Sequence, residues 1–301
     1  MRIDYVTYDA APRTGNVSDM PIHDQGYRRY GGNKARNGTG WMVIARAGIR
    51  TMVSKKAFLG LLLVSWFPFF VRAVQFYAAA NLTTIPQASI LTPSADTFRQ
   101  FLEQQRTFVF FVTVYVGAGL IANDRRANAL QIYLSKPLTR AEYVFGKLAI
   151  LITFLALVTW LPAIVLLIVQ IAFAGNFTFF RTNVFLFPAI TLFAFIEIVV
   201  AASTMLALSS LSKSSRYVAI LYAAVIFFTQ AVYGVLYAVT RSTSFSWLSF
   251  STNLSQIGDM IFRQPQRYDT PWPVALLMIV LLVVLSGVIL ERRVRGVEVV
   301  A

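Results

Sequence analysis

The chain has 301 residues, of which 57% are hydrophobic and 13% are charged, and its formal net charge is +14. Soluble domains carry about 25% charged residues, so this composition indicates an integral membrane protein. The sequence has no cysteine, which excludes disulfides, thiolate nucleophiles and thiolate metal sites. Its single histidine, His23, lies in a polar stretch, so we expect no catalytic residues, no metal site and no enzyme activity.

The chain begins with a polar, basic stretch. We expect residues 1–40 to form a poorly ordered cytosolic tail. Basic residues here are compatible with binding RNA or anionic lipid, but a solvated tail is the simpler interpretation, and no nucleic acid partner is predicted.

Residues 41–56 have a helical pattern. Trp41 and Ile49 fall on one face, and Arg46 and Arg50 fall on the opposite face. This pattern predicts an amphipathic helix lying in the cytoplasmic membrane interface. The alternative is a cytosolic extension of the first membrane span.

Six segments are long and apolar enough to cross a membrane. They lie at about residues 57–80, 107–122, 144–173, 184–208, 218–239 and 274–290. The second is short unless its helix extends back towards Phe98. Residues 41–301 are therefore predicted to form one all-α transmembrane domain of six helices.

Basic residues are distributed unevenly between the two sides of the membrane. Of the 27 Lys and Arg residues, 20 lie in segments on the side of the termini, and the other 7 lie in the first span or the outer segments. The positive-inside rule then places both termini in the cytoplasm.

The loop between the second and third spans carries helix signals. Asp124 can cap a short helix that begins at Arg125, because its carboxylate can accept from free backbone N–H groups. Leu130 and Leu134 share one side of that helix, and Pro137 ends it. A capping box at Thr139 and Glu142 then starts the helix that enters the third span. These signals predict a rigid element at the cytoplasmic face.

The fourth span contains one carboxylate, Glu197. A carboxylate inside a membrane normally faces a partner or a polar cavity. At 1.5 Å of rise per residue, Arg72 lies about 13 Å away along the membrane normal. We therefore expect Arg72 to snorkel outward and Glu197 to be satisfied separately. Glu197 either lines a transport path or protomer interface, or serves as a structural hydrogen-bonding group.

The long outer segment, residues 240–273, is rich in apolar residues. This predicts helices that dip into the outer leaflet or fold over the bundle. An amphipathic surface helix is the alternative.

The loop after the second span resembles that of ABC-2 type transporter permeases of the NosY/NatB-like kind. The matching positions are Asp124, Leu130, the run Leu134-Ser135-Lys136-Pro137, Thr139-Arg140 and Gly146-Lys147. The chain departs from the family pattern at Asn128-Ala129 and at Gln131.

This resemblance implies a membrane-spanning subunit of a bacterial inner-membrane exporter. Its cytosolic loop would be the coupling helix that docks on a separate ATP-binding subunit. The implied coupling residues are Asp124, Arg125, Arg126, Leu130, Leu134, Pro137, Thr139, Arg140 and Glu142. A second permease copy or a paralogous permease would complete the pore, with membrane lipid around it.

No GxxxxGK[ST] motif occurs in the sequence, so the chain lacks a P-loop for a nucleoside triphosphate. ATP and Mg²⁺ are therefore expected in the partner subunit, and no cofactor is expected in this chain. The alternatives are an ion-coupled secondary transporter or channel that uses Glu197, and a non-transporting scaffold for envelope assembly. A membrane enzyme ranks last, because the sequence carries no catalytic constellation.

Overall fold

The computed structural model describes residues 40–81, 93–129, 139–174 and 178–294. In these ranges all regular secondary structure is helical. The α-helices, numbered α1 to α12 in chain order, are Gly40–Val53, Lys56–Ser65, Phe67–Asn81, Ala95–Gly117, Ala122–Arg126, Arg140–Val158, Trp160–Ala174, Thr178–Thr182, Leu186–Leu211, Ser215–Thr240, Phe250–Ile261 and Trp272–Arg293. A short 3₁₀ helix, Ser246–Leu248, precedes α11. The predicted tail, apart from Gly40, lies outside the described residues.

Six helical units in the described ranges are long and apolar enough to cross a membrane, which confirms the prediction of a six-span all-α membrane protein. They are α2 with α3, α4 with its continuation into α5, α6 with α7, α9, α10, and α12. The fourth span, α9, packs against α4, α5, α6, α7, α10, α11 and α12. A helix that is apolar on all sides is suited to this central position.

The amphipathic helix α1 packs its apolar face on α6, while Arg46 and Arg50 are exposed. Two glycines allow α1 and α6 to approach each other closely. A Cβ on Gly48 would lie 2.1 Å from Ile150 Cδ1, and a Cβ on Gly146 would lie 2.8 Å from Ile44 Cβ. α1 is a helix separate from the first span, because α1 ends at Val53 and α2 begins at Lys56.

The first and third spans are each broken near a proline. Pro162 lacks the N–H that would bond the Val158 carbonyl, and α6 ends at Val158. Pro68 similarly follows the break between α2 and α3. The buried side chain of Gln105, on α4, donates from Nε2 to Val158 O at 2.8 Å and to Ser65 O at 3.2 Å. One side chain therefore joins both breaks to the second span.

The second span begins earlier than its hydropathy indicates. The Ser94 side chain accepts from the Thr97 N–H, and the Thr97 side chain accepts from the Ser94 N–H, which caps the start of α4. The helix then runs for 23 residues, from Ala95 to Gly117, or about 35 Å, so it includes Phe98 as expected for a full span. Arg106, which sequence analysis counted with the charges outside the spans, lies inside this helix.

The segment at residues 240–273, which the sequence places on the outer side, folds into the bundle. Eight consecutive residues of α11 are buried: Thr252, Asn253, Leu254, Ser255, Gln256, Ile257, Gly258 and Asp259. The helix packs against α4, α9, α10 and α12. Gln256 Nε2 donates to the Thr270 carbonyl at 2.9 Å, so part of this buried polar surface is satisfied internally. The structure thus has a packed helix here, and the alternative of an amphipathic surface helix is wrong.

Candidate functional site

The connection after α4 is attached to the fourth span by Ser209. Its Oγ accepts from the backbone N–H groups of Ile121 and Ala122, both at 3.1 Å, and donates to the Ala118 carbonyl at 3.0 Å. The Ser209 side chain of α9 therefore caps the first residues of α5. The prediction that Asp124 caps a helix beginning at Arg125 is wrong, because α5 begins at Ala122 and Asp124 lies within it.

Asp124 instead connects α5 to the third span. Its Oδ2 lies 2.8 Å from Lys147 Nζ and accepts a hydrogen bond from the Tyr143 hydroxyl at 2.7 Å. Lys147 and Tyr143 are both buried on α6. Partly buried ion pairs of this kind are screened by salt less than surface pairs are. The acidic residue of the loop therefore holds α5 against the entry of the third span.

The two arginines that follow have different environments. Arg125 Nη1 donates to the Ser210 carbonyl at the end of α9, whereas Arg126 is exposed. Arg125 therefore reinforces the attachment that Ser209 makes, and Arg126 presents its charge to the surroundings.

The predicted capping box at the start of α6 is confirmed. The Thr139 hydroxyl accepts from the Glu142 N–H at 3.2 Å, and Glu142 Oε2 accepts from the Thr139 N–H at 2.8 Å. Arg140, at the first position of the helix, is exposed. Three predicted coupling residues, Leu130, Leu134 and Pro137, lie outside the described residues.

A groove of about 610 Å³ lies beside this connection. Its walls come from α1, the turn after α4, α6 and the start of α10, and they include Lys55, Asp124 and Arg216. The groove is open and mixes apolar with charged side chains. Such a surface can receive a segment of another protein.

Deeper in the bundle, Glu197 pairs with Arg106 of α4. Arg106 Nε lies 2.6 Å from Glu197 Oε1, and Glu197 is 2% exposed. Arg106 Nη1 also donates to Ser255 Oγ at 2.8 Å and to the Ser251 carbonyl at 3.2 Å. The pair joins α4, α9 and α11. Arg72 bonds to Gln75 and Gln100 rather than to Glu197, so the prediction that Glu197 is not paired with Arg72 is confirmed.

A second set of charges joins the start of α4 to the end of α11 and the loop that follows it. Arg99 lies 2.6 Å from Asp96, 3.0 Å from Glu103 and 3.1 Å from Asp259. Arg267 lies 2.5 Å from Glu103 and 2.9 Å from Asp259. Burial alone lowers the pKa of the Arg267 guanidinium, but hydrogen bonds and charges from Glu103 and Asp259 raise this pKa above its ordinary value. We call these five residues the second charge network.

Arg106 and the second charge network were not predicted from the sequence, because residues before Thr107 were assigned to a loop. The spacing of the charged residues in the sequence nonetheless indicated a helix here. Asp96, Arg99, Glu103 and Arg106 recur at intervals of three or four residues, which places them on one face of a helix. Within the described residues, no cluster of three or more His, Cys, Asp or Glu side chains is arranged to hold a metal ion.

No curated protein matches this chain. The family described as "ABC-2 family transporter protein" matches residues 106–290, which is more than half of the chain. The match begins at Arg106 and covers α5, the capped entry of the third span and Glu197. The chain is therefore a multi-pass membrane protein that belongs to the ABC-2 transporter family, as a permease component of an ABC-type transporter.

Proposed function

We propose that this chain is the membrane-spanning subunit of an ATP-driven exporter, and that a separate ATP-binding subunit docks on the cytosolic connection at residues 123–147. The family match and the six spans support this proposal. The partner would bind ATP and Mg²⁺, since the chain carries no P-loop motif. A second permease, identical or paralogous, would complete the translocation path.

The observation that carries the proposal is the attachment of α5 on two sides. Ser209 and Ser210 hold it to α9, and Asp124 holds it to Lys147 on α6. A force applied to α5 therefore acts on the second, third and fourth spans together. Packed elements of this kind move as rigid bodies between discrete arrangements.

α4 provides a connection from this face to the outer end of the bundle. The helix is continuous from Ala95 to Gly117. It carries Arg106, bonded to α9 and α11, and Arg99, bonded to Asp259 of α11. Displacement of α5 by the partner would in this way reach the helix that covers the outer end.

The charge distribution supports a cytoplasmic position for both termini, and hence for α5, in a bacterial inner membrane. Of the 27 Lys and Arg residues, 20 lie in segments on the side of the termini. This is the bias that the positive-inside rule associates with the cytoplasmic side.

Glu197 is the candidate residue of the translocation path, and it is buried in the fourth span. Its charge is balanced by Arg106 at 2.6 Å, so it does not require a coupling cation. This favours ATP-driven transport over the ion-coupled alternative. Transport by the chain alone, driven by a proton gradient without ATP, would overturn the proposal.

Docking is tested by co-expressing the chain with an ABC ATP-binding subunit encoded beside it and measuring the amount that co-purifies. Arg126 and Arg140 are exposed, so R126E with R140E leaves the internal contacts intact. We expect this variant to retain less than a tenth of the partner. The matched control is R241E, an exposed arginine at the end of α10 away from the connection. Equal co-purification of all three proteins would exclude docking at residues 123–147.

A further inference from the structure

A cavity of about 260 Å³ lies between α4, α9, α10 and α11. Its walls are largely aromatic and aliphatic, and include Phe110, Tyr222 and Phe250. Phe111 and Phe227 line it as well, and they are 51% and 60% exposed on the outer surface of the bundle. The cavity therefore opens between α4 and α10 towards the lipid-facing side.

One corner of this cavity is polar. Arg106 and Glu197 both line it, with Ser251 beside them. Among the described residues, neither Arg106 Nη2 nor Glu197 Oε2 has a hydrogen-bond partner, although both atoms are buried. Buried polar atoms are normally hydrogen-bonded, and those left unpaired mark places where a further partner is favoured. The corner thus holds one donor group and one acceptor without partners.

The charge of the corner limits what it can bind. The guanidinium of Arg106 and the carboxylate of Glu197 balance each other at 2.6 Å. A charged ligand would add an unpaired charge to an apolar cavity, which is strongly unfavourable. A hydrocarbon would leave both polar atoms unsatisfied. A neutral group that accepts or donates a hydrogen bond adds no charge to the cavity and gives one of the two polar atoms a partner.

We propose that this cavity is a binding site for a neutral, apolar molecule that carries a hydrogen-bonding group such as a carbonyl, an amide or a hydroxyl. The apolar part would lie among the rings of α4, α10 and α11, and the polar group would meet Arg106 or Glu197. This inference goes beyond the proposed function, because binding takes place within one chain and needs no ATP-binding subunit.

Benzophenone is a suitable probe because it is a neutral diaryl ketone that attaches to nearby C–H bonds under near-ultraviolet light. The purified chain in lipid nanodiscs is irradiated with benzophenone, and labelled peptides are identified by mass spectrometry. We expect saturable labelling at cavity-lining positions of α4, α10 or α11. Labelling spread evenly over lipid-exposed residues, without saturation, would overturn the proposal.

A pair of variants separates the cavity from the lipid-facing surface. Ile226 lines the cavity, so I226W fills it, whereas Phe228 does not line it and is 68% exposed, so F228W is the matched control. We expect I226W to lower cavity labelling at least tenfold and F228W to leave it unchanged. A201I fills the same cavity from α9 if I226W does not fold. Undiminished labelling in a folded cavity-filling variant would contradict the proposal.

The preference for neutral ligands has its own test. The anion 4-benzoylbenzoate is expected to label the wild-type cavity at least tenfold less than benzophenone. In E197Q the corner gains a net positive charge from Arg106, so labelling by the anion should rise at least tenfold. Equal labelling by the two probes in the wild type would show that the ion pair does not select the ligand. Because all of these measurements use the isolated chain, their outcome is independent of partner docking.

Discussion

The side-chain amide of Gln105 donates to the carbonyl of Val158, which the proline at position 162 leaves without its helical N–H partner. The same amide reaches the Ser65 carbonyl at the break in the first span. A proline in a membrane helix requires such a substitute donor, because lipid offers none. The second span therefore stabilises the irregular backbone of both its neighbours.

Replacing Gln105 by leucine should lower stability. Q105L removes both hydrogen bonds and leaves two buried carbonyls unpaired, at a cost of about 1–3 kcal/mol per unsatisfied group. The measurement is the midpoint of thermal unfolding in detergent. The adjacent Gln104 is exposed, so Q104L should leave the midpoint unchanged. Equal effects of the two variants would mean that Gln105 does not support the breaks.

Arg106 and Glu197 should be coupled in their contributions to the free energy of unfolding. R106Q or E197Q alone leaves one buried charge uncompensated, and we expect each to cost about 3–5 kcal/mol. The double variant removes both charges and should recover a large part of that loss. A double-mutant cycle on the free energy of unfolding measures the coupling. Additive losses would show that the two residues stabilise the fold independently.

Ser209 should control the opening of the connection after α4. In S209A, the N–H groups of Ile121 and Ala122 lose their acceptor, with a cost similar to that of removing a helix cap, about 0.5–2 kcal/mol. We expect faster hydrogen exchange in peptides that cover residues 118–129, measured by mass spectrometry. S210A is the control, because its hydroxyl bonds within its own helix, to Ala207. Unchanged exchange in S209A would indicate that other contacts hold α5 in place.

The glycine contact between α1 and α6 should not tolerate a larger side chain. A Cβ on Gly146 would lie 3.0 Å from the Trp41 carbonyl as well as close to Ile44, so G146V should displace α1. We expect faster tryptic cleavage at Arg46 and Arg50 in α1. Gly60 has no heavy atom within 4 Å of the corresponding position, so G60V should be cleaved like the wild type. Equal protection in G146V and the wild type would contradict the close packing of α1.

Features set by neighbouring residues were predictable from the sequence. The six spans follow from length and apolarity, which each segment expresses by itself. The capping box at Thr139 and Glu142 is a relation across three residues, and the apolar face of α1 follows from helical periodicity. The loop motif likewise predicted the transporter family that the family match shows.

Features that depend on packing between distant parts of the chain were not predictable from the sequence. Asp124 has the sequence context of a helix cap. In the fold, however, the side chain of Ser209, which is distant in sequence, accepts from the free N–H groups at the start of α5, and Asp124 pairs with Lys147 instead. Arg106 looked like a loop residue because it follows a polar stretch, but that stretch is helical and its arginines pair with Asp259 of α11 and Glu197 of α9. A buried charge takes whichever partner the fold brings within reach. Local sequence therefore determined which segments are helices in the membrane, and tertiary structure alone decided which polar groups meet inside it.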